Sequence, residues 1–151
     1  MKHWMKLAVA MIAAAAFTSI AATYAFAHGT AARGTTVRVA KSRLGRILVD
    51  SRGVTLYDFV ADKHGRSSCY GACEAYWPPL RTKAKPHAGT GVRASLLGTT
   101  KRKDGRLEVT YNHHPLYYFI GDRKPGQATG QGLSQFGAPW WALSPAGREI
   151  H

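Results

Sequence analysis

Residues 56–62 read LYDFVAD, and residues 116–122 read LYYFIGD. A gapless alignment at an offset of 60 extends the likeness back to Gly45 and Gly105, matching Gly, Arg, Val, Leu, Tyr, Phe and Asp and pairing Ile47 with Leu107 and Val60 with Ile120. Self-similarity at a fixed period marks a duplicated unit whose copies bury their apolar faces on one another. In an extended chain Tyr57 and Phe59 share one face and Leu56 and Val60 the other, as do Tyr117 and Phe119 against Leu116 and Ile120. With both faces apolar, each stretch reads as a central strand.

Upstream of each, apolar residues alternate with polar ones. Ile47 and Val49 share a face in the first repeat, and Leu107, Val109 and Tyr111 do so in the second, opposite Arg106, Glu108 and Thr110. The pattern predicts half-buried strands. Ser51-Arg52-Gly53 and Asn112-His113 supply the turns, so each repeat opens with a β-hairpin. Residues 35–40, TTVRVA, predict a further strand at a sheet edge. Ser67-Ser68 predict a cap for a short helix over 69–76, stopped by Pro78-Pro79. The second repeat instead has PGQATGQG over 125–132, a loop. The repeats rejoin at AYWPPL, 75–80, and APWWAL, 138–143, now offset by 63, where closing strands begin. The expected fold is mainly β with short helices: two pseudo-equivalent, hairpin-containing repeats, about 35–86 and 92–151, packed into one small domain.

Residues 1–27 carry Lys2 and Lys6, an apolar run over 7–20 and a small-residue site at Ala25-Phe26-Ala27. This predicts a secretory signal peptide and an exported chain from His28, placed in the periplasm or outside the cell. Taking Lys2 and Lys6 from 21 basic side chains leaves 19 against 8 acidic ones, a formal +11 with histidines neutral. Such a charge attracts polyanions. Export turns the expectation from nucleic acid to anionic envelope polymers, lipid head groups or an acidic protein. The densest basic positions are Arg81, Lys83 and Lys85 in the connection between repeats and Lys101-Arg102-Lys103 in the next turn. In an oxidising compartment Cys69 and Cys73 are expected to form a disulfide.

The order of Tyr57-x4-Asp62, Ser67-x-Cys69-x3-Cys73, Trp77-Pro-Pro, Asp104-Gly-Arg, Pro115-Leu-Tyr and Tyr117-x4-Asp122 resembles the family of secreted-repeat proteins, often called predicted lipoproteins, with tandem Tyr-x4-Asp motifs. The likeness covers roughly residues 44–147. It implies no activity, since the family is functionally uncharacterised. The chain departs from it twice. Its signal region has no cysteine for lipid attachment, so the chain is expected not to be lipid-anchored. In addition, Asn112-His113 stands where Asn-Gly is usual, placing a histidine where a positive φ is required.

No residue set matches a catalytic constellation, and no cofactor is expected. Asp62 and Asp122 follow strands and precede turns, where carboxylates accept hydrogen bonds from backbone amides. They are read with Tyr57, Phe59, Tyr117 and Phe119 as structural first and a ligand site second. The histidines have neither i, i+4 spacing nor Cys/His grouping, so no metal site is expected; His28, His113 and His114 come nearest. Trp141 is the candidate exposed aromatic. The leading reading is a non-enzymatic, exported cell-envelope module, binding or structural, with a basic surface. The alternative is a redox or metal-handling periplasmic protein using Cys69 and Cys73 or the histidines.

Overall fold

The computed structural model describes residues 34–151, so the signal peptide expected over 1–27 and His28 lie outside it. In chain order the strands are β1 (Thr36–Ser42), β2 (Gly45–Asp50), β3 (Tyr57–Phe59), β4 (Arg81–Thr82), β5 (His87–Ala88), β6 (Leu97–Lys101), β7 (Leu107–Tyr111), β8 (His114–Pro115), β9 (Ser134–Gln135) and β10 (Ala138–Ala142). One short helix, α1 (Ala72–Tyr76), and one 3-10 turn, Ala94–Leu96, complete the order. The fold is mainly β, in three small open sheets ordered β2-β1-β5, β3-β10-β9 and β4-β7-β6, with β8 on β7. The expected edge strand β1 is therefore central, because the connection between repeats returns beside it as β5.

The two repeats meet at their matched tyrosines. Tyr57 and Tyr117 exchange both backbone hydrogen bonds, at 2.9 and 2.8 Å. Around this point the side chains repeat with twofold logic. Trp77 and Trp140 stack at 3.9 Å, Phe59 lies on Trp140 at 4.1 Å, and Phe119 lies on Trp77 at 4.5 Å. Tyr57 meets Trp77 edge-on at 5.4 Å and Tyr117 meets Trp140 at 5.1 Å. Each such pair contributes about 0.5–1.5 kcal/mol beyond area burial. Gln135 accepts both indole N–H groups, one on its side chain and one on its carbonyl. Gly130 lies so close that a Cβ there would stand 2.7 Å from the Trp77 ring. Leu56 and Leu116 face away into a second core cluster with Leu48, Leu80, Val109 and Leu143.

The gapless offset of 60 does not hold throughout. The Leu48 amide donates to Leu143 and its carbonyl accepts from Leu56, and Val109 makes the same two bonds with Leu80 and Leu116. Leu48 and Val109 are thus equivalent, at an offset of 61, and the first hairpin connection is one residue longer. Its turn is held by Asp50 Oδ1, which accepts the Arg52 and Val54 amides at 2.9 and 3.0 Å. The shorter second turn has Asn112 and His113 at φ 48° and 66°, the paired left-handed conformation of a two-residue hairpin. In this register the buried Glu108 occupies the place of Ile47.

Other local expectations change as well. The helix is only Ala72–Tyr76, and its N-cap is Gly71 with no side-chain cap, because Ser67 and Ser68 bond elsewhere. Ile120 is exposed, as are Tyr76 and Phe136, whereas Trp141 is half-buried with His151 edge-on at 4.5 Å. No helix among the described residues is long and apolar enough to cross a membrane.

Candidate functional site

The Tyr-x4-Asp motifs close across the repeats. Tyr57 Oη donates to Asp122 Oδ2 at 2.6 Å, and Tyr117 Oη donates to Asp62 Oδ2 at 2.7 Å. The other oxygen of each aspartate accepts an amide and a hydroxyl, from Ser68 at 2.7 and 2.7 Å on Asp62 and from Thr129 at 2.8 and 2.6 Å on Asp122. The six motif residues Tyr57, Phe59, Asp62, Tyr117, Phe119 and Asp122 thus form one constellation around the stacked indoles. Burial and the neighbouring carboxylates push both phenols well above their usual range, so they remain protonated donors.

The Tyr117 side continues into a chain of acidic and basic groups. Ser67 Oγ lies 2.6 Å from Tyr117 Oη and accepts from Arg102 Nη1 at 2.6 Å. Arg102 also donates to Glu108 Oε2 at 2.7 Å, the Cys69 carbonyl at 2.7 Å and Glu74 Oε2 at 2.8 Å. Glu74 in turn pairs with Arg81. Arg102, expected among the exposed anion-binding residues, is instead buried, since the Lys101-Arg102-Lys103 run turns its middle member inward over the Tyr70 ring. Burial pushes Glu108 up to about 8 despite Arg102. Cys69 and Cys73 form a disulfide with a Cα–Cα separation of 5.2 Å, and both are buried.

The remaining basic positions come together through the sheet. Thr82 and Lys101 each pair with Leu107, from opposite sides, placing the two basic segments on the strands that flank β7. Beside them, Thr35, Arg81, Thr82, Lys83, Arg106 and Leu107 line an open cleft of about 790 Å³. Arg81 is engaged there by Glu74 and Asp104. Lys83, Lys85, Lys101 and Lys103 are exposed, with the Lys103 ammonium 4.7 Å above the Tyr70 ring. Fifteen of the eighteen described Lys and Arg residues are exposed, but of the eight acids only Asp104 is.

A third cluster escaped the sequence. His114 Nδ1 stands 3.2 Å from Asp58 Oδ2, and one ligand atom from each of Asp58, His114 and Glu149 lies within 4.8 Å of the others. The Asp58 carboxylate raises His114 above its usual value, and burial followed by Asp58 does the same to Glu149. His113, one residue earlier, is exposed at the hairpin turn. Asp58 lies within the first motif yet its counterpart in the second is Tyr118, so the repeat pattern itself offered no signal for it.

No curated protein and no solved structure matches this chain. One family model matches it twice, over residues 38–81 and 98–144, which are the two halves joined by the reciprocal tyrosine–aspartate bonds. The chain belongs to the family described as a secreted repeat of unknown function.

Proposed function

We propose that this protein is an exported, non-catalytic module of the cell envelope that binds anionic polymers through the cleft lined by Thr35, Arg81, Thr82, Lys83, Arg106 and Leu107 and the lysines around it. The observation that carries the reading is the sheet pairing that brings the 81–85 and 101–103 segments to the two sides of one strand, β7. The distribution of charge supports it, because three acids are buried and four half-buried while fifteen of the eighteen described Lys and Arg residues are exposed. A formal +11 on the exported chain then acts over a surface with little opposing charge. The binding is non-enzymatic and needs no cofactor. The signal peptide expected over 1–27 directs the chain to the periplasm or the cell exterior.

Co-sedimentation with an anionic polysaccharide, measured from 0.1 to 1 M salt, tests this directly. Over that range the screening length falls from about 10 to about 3 Å, so binding is expected to disappear. A variant carrying Lys83→Gln, Lys85→Gln, Lys101→Gln and Lys103→Gln is expected to lose binding at low salt while keeping its melting temperature. Binding that survives either treatment overturns the reading. Anionic vesicles and an acidic protein, run in parallel, separate a head-group or protein partner from a polymer.

A further inference from the structure

Asp58 is the middle residue of β3. Its neighbours Tyr57 and Phe59 send their rings into the aromatic stack, so the carboxylate projects from the opposite side of the strand. There it is 1% exposed, and apart from the 3.2 Å approach of His114 Nδ1 to Oδ2 neither carboxylate oxygen has a hydrogen-bond partner. An ionised carboxylate in such a place requires compensation. The second repeat shows what compensation looks like. Tyr118, the counterpart of Asp58, donates its hydroxyl at 3.1 Å to Asp50, which is held in turn by Arg52 and two amides. The first repeat has replaced that closed contact with an acid facing His114 and Glu149.

These groups come from separate, well-fixed segments. His114 is on β8, paired to β7, and Glu149 is held by an antiparallel bridge to Leu143 after the final turn. Two carboxylates face one imidazole, leaving a deficit of positive charge even when that ring is protonated. The 3.2 Å between His114 Nδ1 and Asp58 Oδ2 is close to the roughly 3.3 Å that separates two ligands of one tetrahedral ion at bond lengths of about 2.0–2.1 Å. One nitrogen and two carboxylates suit a borderline divalent ion of the later first row. They are too few, and include the wrong donor, for calcium, which takes six to eight oxygens. His151 Nε2 lies 3.3 Å from Glu149 Oε2, near enough to orient that ligand. We propose that Asp58, His114 and Glu149 form a binding site for a divalent transition-metal ion of the zinc class.

The test is calorimetric titration of the chelator-treated exported protein with zinc chloride, together with a thermal melt at each metal concentration. One equivalent of zinc is expected to bind and to raise the melting temperature. His114→Gln and Glu149→Gln, both at partly exposed positions, are each expected to weaken binding at least tenfold with an unchanged circular dichroism spectrum. A control with His28→Gln, His64→Gln, His87→Gln and His113→Gln is expected to bind as the parent does. Absence of stoichiometric zinc binding overturns the site, as does binding that persists in the His114 and Glu149 variants or vanishes in the control. Calcium binding as tight as that of zinc overturns the class of ion.

Discussion

Tyr57–Asp122 and Tyr117–Asp62 are the same contact made twice, with lengths within 0.1 Å of each other at 2.6 and 2.7 Å, in very different company. The first ends locally, since Tyr57 Oη receives the Gly130 amide at 3.3 Å and Asp122 is completed by Thr129. The second opens through Ser67 onto the buried Arg102, and from there onto Glu108, Glu74 and Arg81. The cause is a single exchange of character at one pseudo-equivalent position, where the first repeat buries Ile47 and the second buries Glu108. A neutral motif tolerates an apolar neighbour, but a buried acid needs a donor, and Arg102, which supplies it, recruits the rest. Duplication preserved the bond and let its surroundings specialise.

The largest expected effect comes from breaking the side that carries Arg102. Arg102→Met leaves Glu108 and Glu74 without their partner and is expected to cost about 3–5 kcal/mol in chemical denaturation. Adding Glu108→Gln is expected to restore a good part of it. Arg43→Ala, which removes only a 2.8 Å bond to the Ala128 carbonyl beside the other pair, is expected to cost about 1 kcal/mol. Similar losses for Arg102→Met and Arg43→Ala would erase the distinction.

Dependence on pH sharpens it. Burial raises Glu108 from 4.5 to about 8, so between those values the folded chain holds a proton that the unfolded chain releases. Stability is therefore greatest at the acid end of this window and falls as pH rises through it, by at most about 1.4 kcal/mol per pH unit for one proton. His114, raised by Asp58, adds in the same direction: its contribution is complete below 6.5 and is lost as pH passes its folded value. Melting curves from pH 5 to 9 are expected to show the decline, and Glu108→Gln to flatten it.

The disulfide belongs to the Arg102 side as well, because the Cys69 carbonyl accepts from Arg102. Replacing Cys69 and Cys73 together by Ala is expected to cost about 2 kcal/mol from loop entropy. The smallest change is a single hydroxyl. Tyr57→Phe is expected to cost about 1 kcal/mol, whereas Tyr117→Phe, which also removes a partner from Ser67, is expected to cost up to about 3 kcal/mol. Equal costs in urea melts would show that Ser67 and Arg102 do not couple to the tyrosine.

What the sequence disclosed and what it withheld divide along chain distance. The duplication, the strand at Tyr57–Phe59 and the left-handed turn at Asn112-His113 depend on neighbours a few residues apart, and the pattern carries them; it misleads at 116–120, which forms only isolated bridges at Tyr117 and leaves Ile120 exposed. That Tyr57 closes on Asp122 rather than on its own Asp62 depends on how the copies dock, which a period-two alternation does not encode. Arg102 looked like one of three surface cations because its partners Glu74 and Glu108 arrive from α1 and β7. Ser67-Ser68 resembled a helix cap because local hydrogen bonding was the only use visible without Asp62 and Tyr117 beside them. Asp58 and Glu149 stand 91 positions apart, one inside the repeated motif and one beyond it, so neither spacing nor periodicity could join them to His114.

The reciprocal tyrosine–aspartate bonds bear on the origin of the chain. A lone repeat would leave its tyrosine without an acceptor, its aspartate without a phenol and its tryptophan without a stacking partner. Two identical copies related by a twofold axis would satisfy all three, since an isologous interface presents the same patch from both sides. The tandem protein has the form of such a homodimer fused into one polypeptide. With both halves on one polypeptide a residue in one need not be matched in the other, as Glu108 against Ile47 and Asp58 against Tyr118 illustrate.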